Sequence, residues 1–223
     1  MKGKLIVLEG TDGSGKSTQF GRLTEHLEQD GTAFHRLRFP RYENESSALI
    51  RMYLGGAFGS DPEAVNAYAA SMFYAVDRCA SYLQDWKADY EEGALFLADR
   101  YTTSNAVHQG SKLEPTQREE YFRWLGEIEY EKMGLPAPDL VILLDMPVEL
   151  TQQLMRKREA DTDTHADIHE QNLSYLEQCR HCAKAAAAYY GWQVVSCADG
   201  GRLRSIEDIH EEIYNIVKRC LEE

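Results

Sequence analysis

Nine consecutive residues, Gly10-Thr11-Asp12-Gly13-Ser14-Gly15-Lys16-Ser17-Thr18, have the types and spacing to grip a chain of phosphates. They satisfy G-x-x-x-x-G-K-[ST]. Gly10, Gly13 and Gly15 allow the main chain to curl, so that the N–H groups along the loop, through Ser14 and on to Thr18, turn inward onto anionic oxygens. Lys16 supplies a point charge for β- and γ-phosphates, and the Ser17 hydroxyl is a ligand for Mg²⁺. Asp12 works against the rest. A carboxylate inside an anion-binding loop raises the Coulomb energy unless a cation or a hydroxyl donor faces it. Either it caps the turn, or it faces the sugar hydroxyl of an acceptor or a water on the metal.

Such a loop acts only when a strand leads into it and a helix leads out. Lys4 to Leu8 is an aliphatic run, and beyond the loop Phe20, Leu23 and Leu27 share one helical face that stops at Gly31. Further strands are expected at Thr32–Phe39, Ala94–Ala98, Leu140–Leu144 and Trp192–Ser196. Between them lie helical patterns. A long helix is expected from Asp61 as N-cap and Pro62 as first residue, with an apolar stripe through Val65, Ala69, Met72, Val76, Cys79, Leu83 and Trp86. The last helix begins behind Ser205. Aliphatic strands alternating with helices predict an α/β fold of three layers: a five-stranded parallel sheet flanked by helices, in a single domain over 1–223. Ligands of such sheets collect at the carboxyl ends of the strands. Two segments read as mobile flaps: Gly55–Ser60 and a lid at about 156–167.

Composition narrows the partners. With 24 Lys+Arg against 37 Asp+Glu, the net charge of −13 disfavours a phosphate backbone or an anionic membrane as partner. No aliphatic run approaches the ~20 residues of a membrane span, and Glu9 interrupts any signal-peptide pattern. Five cysteines, an odd number, fit reduced thiols and a cytoplasmic setting. Cys179-Arg180-His181-Cys182 invites a zinc reading, but Cys179 falls on an apolar helical stripe and reads as core.

The phosphate loop alone leaves several classes open. A GTPase switch needs N-K-x-D, which does not occur, and a remodelling ATPase needs an acidic pair where this chain has Asp99-Arg100. A small-molecule phosphotransferase needs arginines to neutralise two sets of phosphates, and Arg41, Arg78, Arg100, Arg156 and Arg158 are available.

Read in order, Leu8-Glu9-Gly10-x-Asp12, Gly15-Lys16-Ser17-Thr18, Phe39-Pro40, Asp77-Arg78, Asp99-Arg100-Tyr101-x-x-Ser104-Asn105 and Gly134-Leu135-Pro136-x-Pro138-Asp139 resemble the thymidylate kinases, over about residues 1–195. The resemblance implies a P-loop nucleoside-monophosphate-kinase fold, transfer of the ATP γ-phosphoryl group to dTMP with Mg²⁺, and a homodimer. It implies that Tyr74, Arg78, Ser104 and Asn105 meet the thymine, that Phe39 is among the substrate-binding residues, and that Arg100 holds the acceptor phosphate. Asp99 would sit near Mg²⁺ or orient Arg100. Tyr74 and Arg78, four residues apart, share a helix face, which suits an aromatic ring stacked on a pyrimidine beside a guanidinium at its carbonyl edge. His108, four residues past Ser104, takes the position where many members place an aromatic ring against the sugar's 2′ carbon; the alternative is an exposed histidine.

Two departures matter. Gly13 stands where some members carry an arginine that reaches the transferring phosphoryl group, so the lid must supply that charge, through Arg158 in preference to Arg156. The acceptor-phosphate arginine commonly found two residues after the Phe-Pro proline is replaced by Tyr42, leaving Arg41 as the substitute. Other readings stay open: a kinase for another deoxynucleotide or a nucleoside, or a nucleotide-binding regulator without transfer activity.

Overall fold

The structure is a computed structural model; it describes residues 2–59, 61–162 and 173–222, without the side chains at 62, 156–162 and 173. The chain runs β1 (Lys4–Gly10), α1 (Lys16–Gln29), β2 (His35–Arg38), α2 (Ala48–Leu54), α3 (Ala67–Ser81), α4 (Lys87–Glu91), β3 (Leu95–Asp99), α5 (Thr102–His108), α6 (Arg118–Gly126), β4 (Leu140–Asp145), α7 (Val148–Thr162), α8 (Leu173–Tyr190), β5 (Gln193–Ser196), the short β6 (Ala198–Asp199) and β7 (Arg202–Leu203), and α9 (Ile206–Glu222). Single π-helical segments, Tyr82–Trp86 and Glu127–Lys132, extend α3 and α6.

All five expected strands form, within three residues of their sequence bounds, and pair in the order β2-β3-β1-β4-β5. Every pairing in that sheet is parallel, with Leu8 beside Asp99 and Gly10 beside Leu144. Alternation along β1 distributes its side chains between two cores. Ile6 and Leu8 join Leu23 and Leu27 of α1 and Ile209, Ile213 and Val217 of α9. Leu5 and Val7 face the other way, onto Tyr82, Trp86, Phe96 and Tyr101. With α8 covering Leu143 through Cys179, Ala183 and Ala187, the sheet is a middle layer between helices. Cys179 and Cys182 are both fully buried in these cores.

The α3 helix corrects the sequence reading. Asp61 caps only a short 3-10 turn, and the helix proper is capped by the Asn66 side chain, which accepts from Ala69 N at 2.9 Å. Its buried face consists of Ala67, Ala70, Ser71, Ala75, Asp77, Arg78 and Ser81. The expected stripe is split: Val76 is 42% exposed and Leu83 60%, Val65, Ala69, Met72 and Cys79 are half-buried, and Trp86 reaches the core. Small residues bring α3 close to its neighbours, and its two buried charges are each neutralised from another element, Asp77 by Arg41 and Arg78 by Glu129, so the large aliphatics are not needed there. The Gly55–Ser60 flap begins as a turn behind α2, with Ala57 N bonded to Met52 O at 2.9 Å. Lid residues 163–167 lie outside the described residues. Among the described residues no helix is long and apolar enough to cross a membrane.

Candidate active site

The loop between β1 and α1 has the geometry its glycines permit. Gly13 and Gly15 adopt φ of 75° and 82°, in the left-handed region that only glycine enters freely. Gly15 is the N-cap of α1 and offers no side chain, so the first-turn amides remain available to an anion at the positive end of the helix dipole. Gly13 is also a matter of space. A Cβ there would lie 2.6 Å from Thr151 Cγ2 and 2.9 Å from Met155 Cγ, both on α7, so an arginine cannot be accommodated with α7 in this position. Gly10 is closed in the same way by Ser14 Oγ, 2.5 Å from its would-be Cβ.

Lys16, at the first position of α1, forms an ion pair with Asp99 at the end of β3. Asp99 therefore orients Lys16, whereas Arg100 is held from elsewhere. Arg100 leaves β3 with φ of 68°, a conformation that costs a non-glycine residue about 1–3 kcal/mol. The turn sends its guanidinium back over the loop, where Nη2 pairs with Asp12 and Nη1 meets His108 Nε2 at 2.8 Å. The protein partner that faces Asp12 is a cation, Arg100. Burial alone would raise the Asp12 carboxyl; the electropositive surroundings of His108, Arg100 and Lys16 outweigh it and hold the group below the usual carboxylate range.

His108 is enclosed, not exposed. Its Nδ1 lies 3.4 Å from Tyr175 Oη and 3.8 Å from Cys179 Sγ. Burial, then the charge of Arg100, holds its pKa below 6.5 against the opposing pull of Asp12 and Glu9. The neutral ring accepts from Arg100 through Nε2. An unfolded chain binds a proton at this histidine below about pH 6.5 that the folded chain resists, so wild-type stability falls as pH drops through that value. Asp12, lowered from 3.8, contributes stability lost only at still lower pH. We expect His108→Phe to flatten the loss of stability between about pH 7.5 and 5.5 in urea denaturation. His210 acts in the same direction in both proteins and drops out of the comparison. An unchanged slope would mean that His108 titrates as in free solution.

Two cavities converge on this cluster. A cleft of about 1000 Å³ runs along the phosphate loop past Ser17, Asp99 and Arg100 to Leu203, Arg204 and Ile206 at the start of α9. A pocket of about 260 Å³ is bounded by Tyr74, Arg78, Ser104, Asn105, His108 and Tyr175. Asp12, Phe39, Pro40, Tyr42 and Arg100 line both. Phe39, joined to Pro40 by a cis peptide, packs against Tyr101 with ring centroids 6.0 Å apart.

The smaller pocket is braced by residues the sequence did not single out. Glu129, fully buried in the π-helical segment after α6, receives Arg78 Nε at 2.7 Å and Nη2 at 2.6 Å. It also accepts from Thr102 Oγ1 at 2.8 Å and Asn105 Nδ2 at 3.4 Å. Burial works to lower the Arg78 pKa, but Glu129 more than offsets it and the guanidinium stays charged. Arg78 thus lines the pocket as expected, with most of its fork already engaged. Asn105 Nδ2 donates further to Ser71 O at 3.2 Å. Glu9, buried at the end of β1, accepts from Thr103 Oγ1 and Ser104 Oγ, both at 2.7 Å, fixing α5 against the loop. Tyr74 is kept neutral by burial, which raises its hydroxyl pKa. Lys112 also lines the pocket; its Nζ donates to Tyr53 Oη at 2.7 Å and Val65 O at 3.1 Å, and burial lowers it to about 8.

Arg41 lines the large cleft, with its guanidinium already engaged by protein partners. Its Nε donates to Asp77 Oδ1 at 3.3 Å, its Nη1 to Asp85 and its Nη2 to Ser46 Oγ at 3.0 Å. Arg41 thus reaches Asp77 of α3 and Asp85 of its π-helical extension from the edge of the large cleft, while Tyr42 lines both cavities. Arg156 and Arg158 belong to the helical backbone of α7, but their side chains lie outside the described residues. For a divalent ion, the Ser17 hydroxyl and the Asp99 carboxylate are hard oxygen donors lining the same cleft, the chemistry Mg²⁺ favours.

Known proteins resemble the chain over most of its length. A family model described as Thymidylate kinase matches residues 8–213. A "Thymidylate kinase" from Halothermothrix orenii is 32% identical over 228 residues, covering 99% of both chains. A "Probable thymidylate kinase" from Pyrococcus horikoshii is 31% identical over 223 residues, or 99% of this chain and 98% of that one. One from Mycobacterium tuberculosis, named "Thymidylate kinase", is 31% identical over 192 residues, 84% of this chain and 87% of its own. The family model spans most of the chain and these relatives cover it over most of its length, so the chain belongs to the thymidylate kinase family.

Proposed function

We propose that this protein transfers the γ-phosphoryl group of ATP to dTMP, giving dTDP and ADP, with Mg²⁺, in the cytoplasm and as a homodimer. The observation that carries the reading is the pair of cavities sharing Asp12 and Arg100: one long enough for a nucleoside triphosphate laid along the loop, one sized for a nucleoside monophosphate. Transfer between them needs positioning and charge neutralisation and no covalent intermediate.

Within this scheme Lys16 and the first amides of α1 hold the β- and γ-phosphates. Arg100, carried on a strained turn and steadied by Asp12 and His108, meets the acceptor phosphate. Tyr74 and Phe39 flank the pyrimidine, with Arg78 and Asn105 along its edge. His108 stands toward the sugar, where its ring disfavours a 2′-hydroxyl. Mg²⁺, when bound, neutralises charge on the phosphates; Ser17 and Asp99 would hold it. Because Gly13 has no room for a reaching side chain, the remaining transition-state cation comes from α7, as Arg158 or Arg156.

ADP release measured over dTMP, dUMP, dCMP, dGMP and thymidine tests the assignment. We expect dTMP to give the highest kcat/KM by at least about tenfold, the discrimination a few well-placed contacts provide. Turnover of thymidine without dTMP would overturn it, and ATP binding without turnover of any acceptor would favour a regulator. For the homodimer, the supporting feature is the outward apolar row Val76, Cys79 and Leu83 on α3 and its extension. Val76→Glu is expected to yield monomers in sedimentation equilibrium; a wild-type monomer would remove the proposal.

A further inference from the structure

On the far side of α1 from the phosphate loop, α1 and α9 bring together two imidazoles. His26 Nδ1, in the last turn of α1, lies 2.9 Å from His210 Nε2, in the second turn of α9. Ligand atoms of His26, His210 and Glu211 all fall within 4.8 Å of one another. The rings are not loose. Tyr214 stacks on His26 with centroids 3.7 Å apart and planes 10° from parallel, and its hydroxyl donates to Asp30. His210 is more than nine-tenths buried, and its Nδ1 has no hydrogen-bond partner, an unusual position for a buried polar atom.

We propose that His26, His210 and Glu211 form a binding site for a divalent transition-metal ion of the Zn²⁺ class, clipping α1 to α9. Two nitrogens bound at ~2.0–2.1 Å to one tetrahedral ion stand roughly 3.3 Å apart, so the observed pair need open by only a few tenths of an ångström. At 2.9 Å the two neutral rings must share one proton between them. The ion takes the place of that proton, which the donor ring retains on its other nitrogen. The exposed Glu211 carboxylate supplies the third donor, and water completes the shell. Two imidazoles and a single carboxylate suit Zn²⁺, Co²⁺ or Ni²⁺; Mg²⁺ and Ca²⁺ demand shells of oxygen. The site is therefore chemically separate from the oxygen donors of the nucleotide cleft.

Its place in the fold gives it an effect. The same two helices are tied by Gln19 Nε2 to Ile206 O at 3.0 Å and by Arg22 to Glu207 at 2.9 Å. Lys16 begins α1, while Ile206 and Ile209 of α9 line the large cleft. A metal clip holds one wall of that cleft in register with the phosphate loop.

The test uses metal-stripped, nucleotide-free protein titrated with Co²⁺, read by visible absorption, and with Zn²⁺, read by thermal unfolding. Wild type should take one Co²⁺ per chain, displaced by Zn²⁺. Its melting temperature should rise by about 5 °C at a Zn²⁺ concentration near a hundredfold over Kd, with no rise in Mg²⁺. His26→Ala should melt below metal-free wild type, having lost the Tyr214 stack and the bond to His210, and should show neither response to added metal; Glu211→Gln should weaken both responses about tenfold. His210→Ala adds to the case only if it folds, so His26→Ala decides. Absence of any Zn²⁺ response in wild type would overturn the proposal. So would equal Co²⁺ binding by His26→Ala, which puts the ion elsewhere, or a thiolate-to-cobalt charge-transfer band, which puts it on a cysteine.

Discussion

Lys16→Ala should lower kcat by about a thousandfold and leave the fold standing. The rate falls because phosphoryl transfer relies on fixed charge around the β- and γ-phosphates, and Lys16 is the cation the loop itself contributes. The fold survives because the ammonium pairs with Asp99, which keeps 14% of its side chain in solvent and has Arg38 Nε at 4.0 Å. An aspartate with water and a second cation within reach is not stranded. Steady-state kinetics with saturating ATP, alongside a thermal melt, separates the two effects. A rate within tenfold of wild type would remove the loop from the mechanism, and a collapsed melt would make Lys16 a structural residue.

The second large effect is on stability. Glu129→Ala should destabilise the protein by about 3–5 kcal/mol, because it leaves the Arg78 guanidinium buried without its counter-charge. Arg78 is 2% exposed and Glu129 fully buried, so water cannot stand in for the lost partner. In a chain of this size that corresponds to a melting temperature lower by roughly 10 °C. Arg78→Ala removes the other partner and should cost about as much, in addition to raising KM for dTMP with little change in KM for ATP. The double variant should be less destabilised than the two single losses combined, since neither charge is left alone. If Glu129→Ala melts within about 2 °C of wild type, the pair is not holding the pocket together.

The strands and the phosphate loop were legible in the sequence for a physical reason. Aliphatic runs buried on both faces leave little freedom of interpretation, and a Gly-rich spacing between strand and helix has few alternative uses. Arg100 was a candidate from its place at the end of β3, while the roles of Arg100, Ser104 and Asn105 came from the resemblance to the thymidylate kinases. The failures share another cause. On α3 the buried face is built from alanine, serine and two neutralised charges, so hydrophobicity pointed in part to the side that faces outward. Glu129 meets Arg78 across 51 residues and from a π-helical segment, where a 3.6-residue period assigns the wrong face. The direction of Arg41 depends on Asp77 and Asp85, neither of which a local reading of Phe39-Pro40 includes.

The ion pairs Lys16–Asp99 and Arg100–Asp12 have a further consequence for what the cleft admits. Both cations are tethered to carboxylates of the protein itself, so in the roles proposed above for Lys16 and Arg100 an arriving phosphate competes with a resident anion for each of them. Uptake is then an ion exchange, decided first by how much negative charge the visitor carries. Triphosphate tails and dianionic monophosphates win that contest, while an uncharged nucleoside leaves the internal salts closed. Selection by valence thus precedes selection by shape, and it is performed by the acidic partners of the two basic residues.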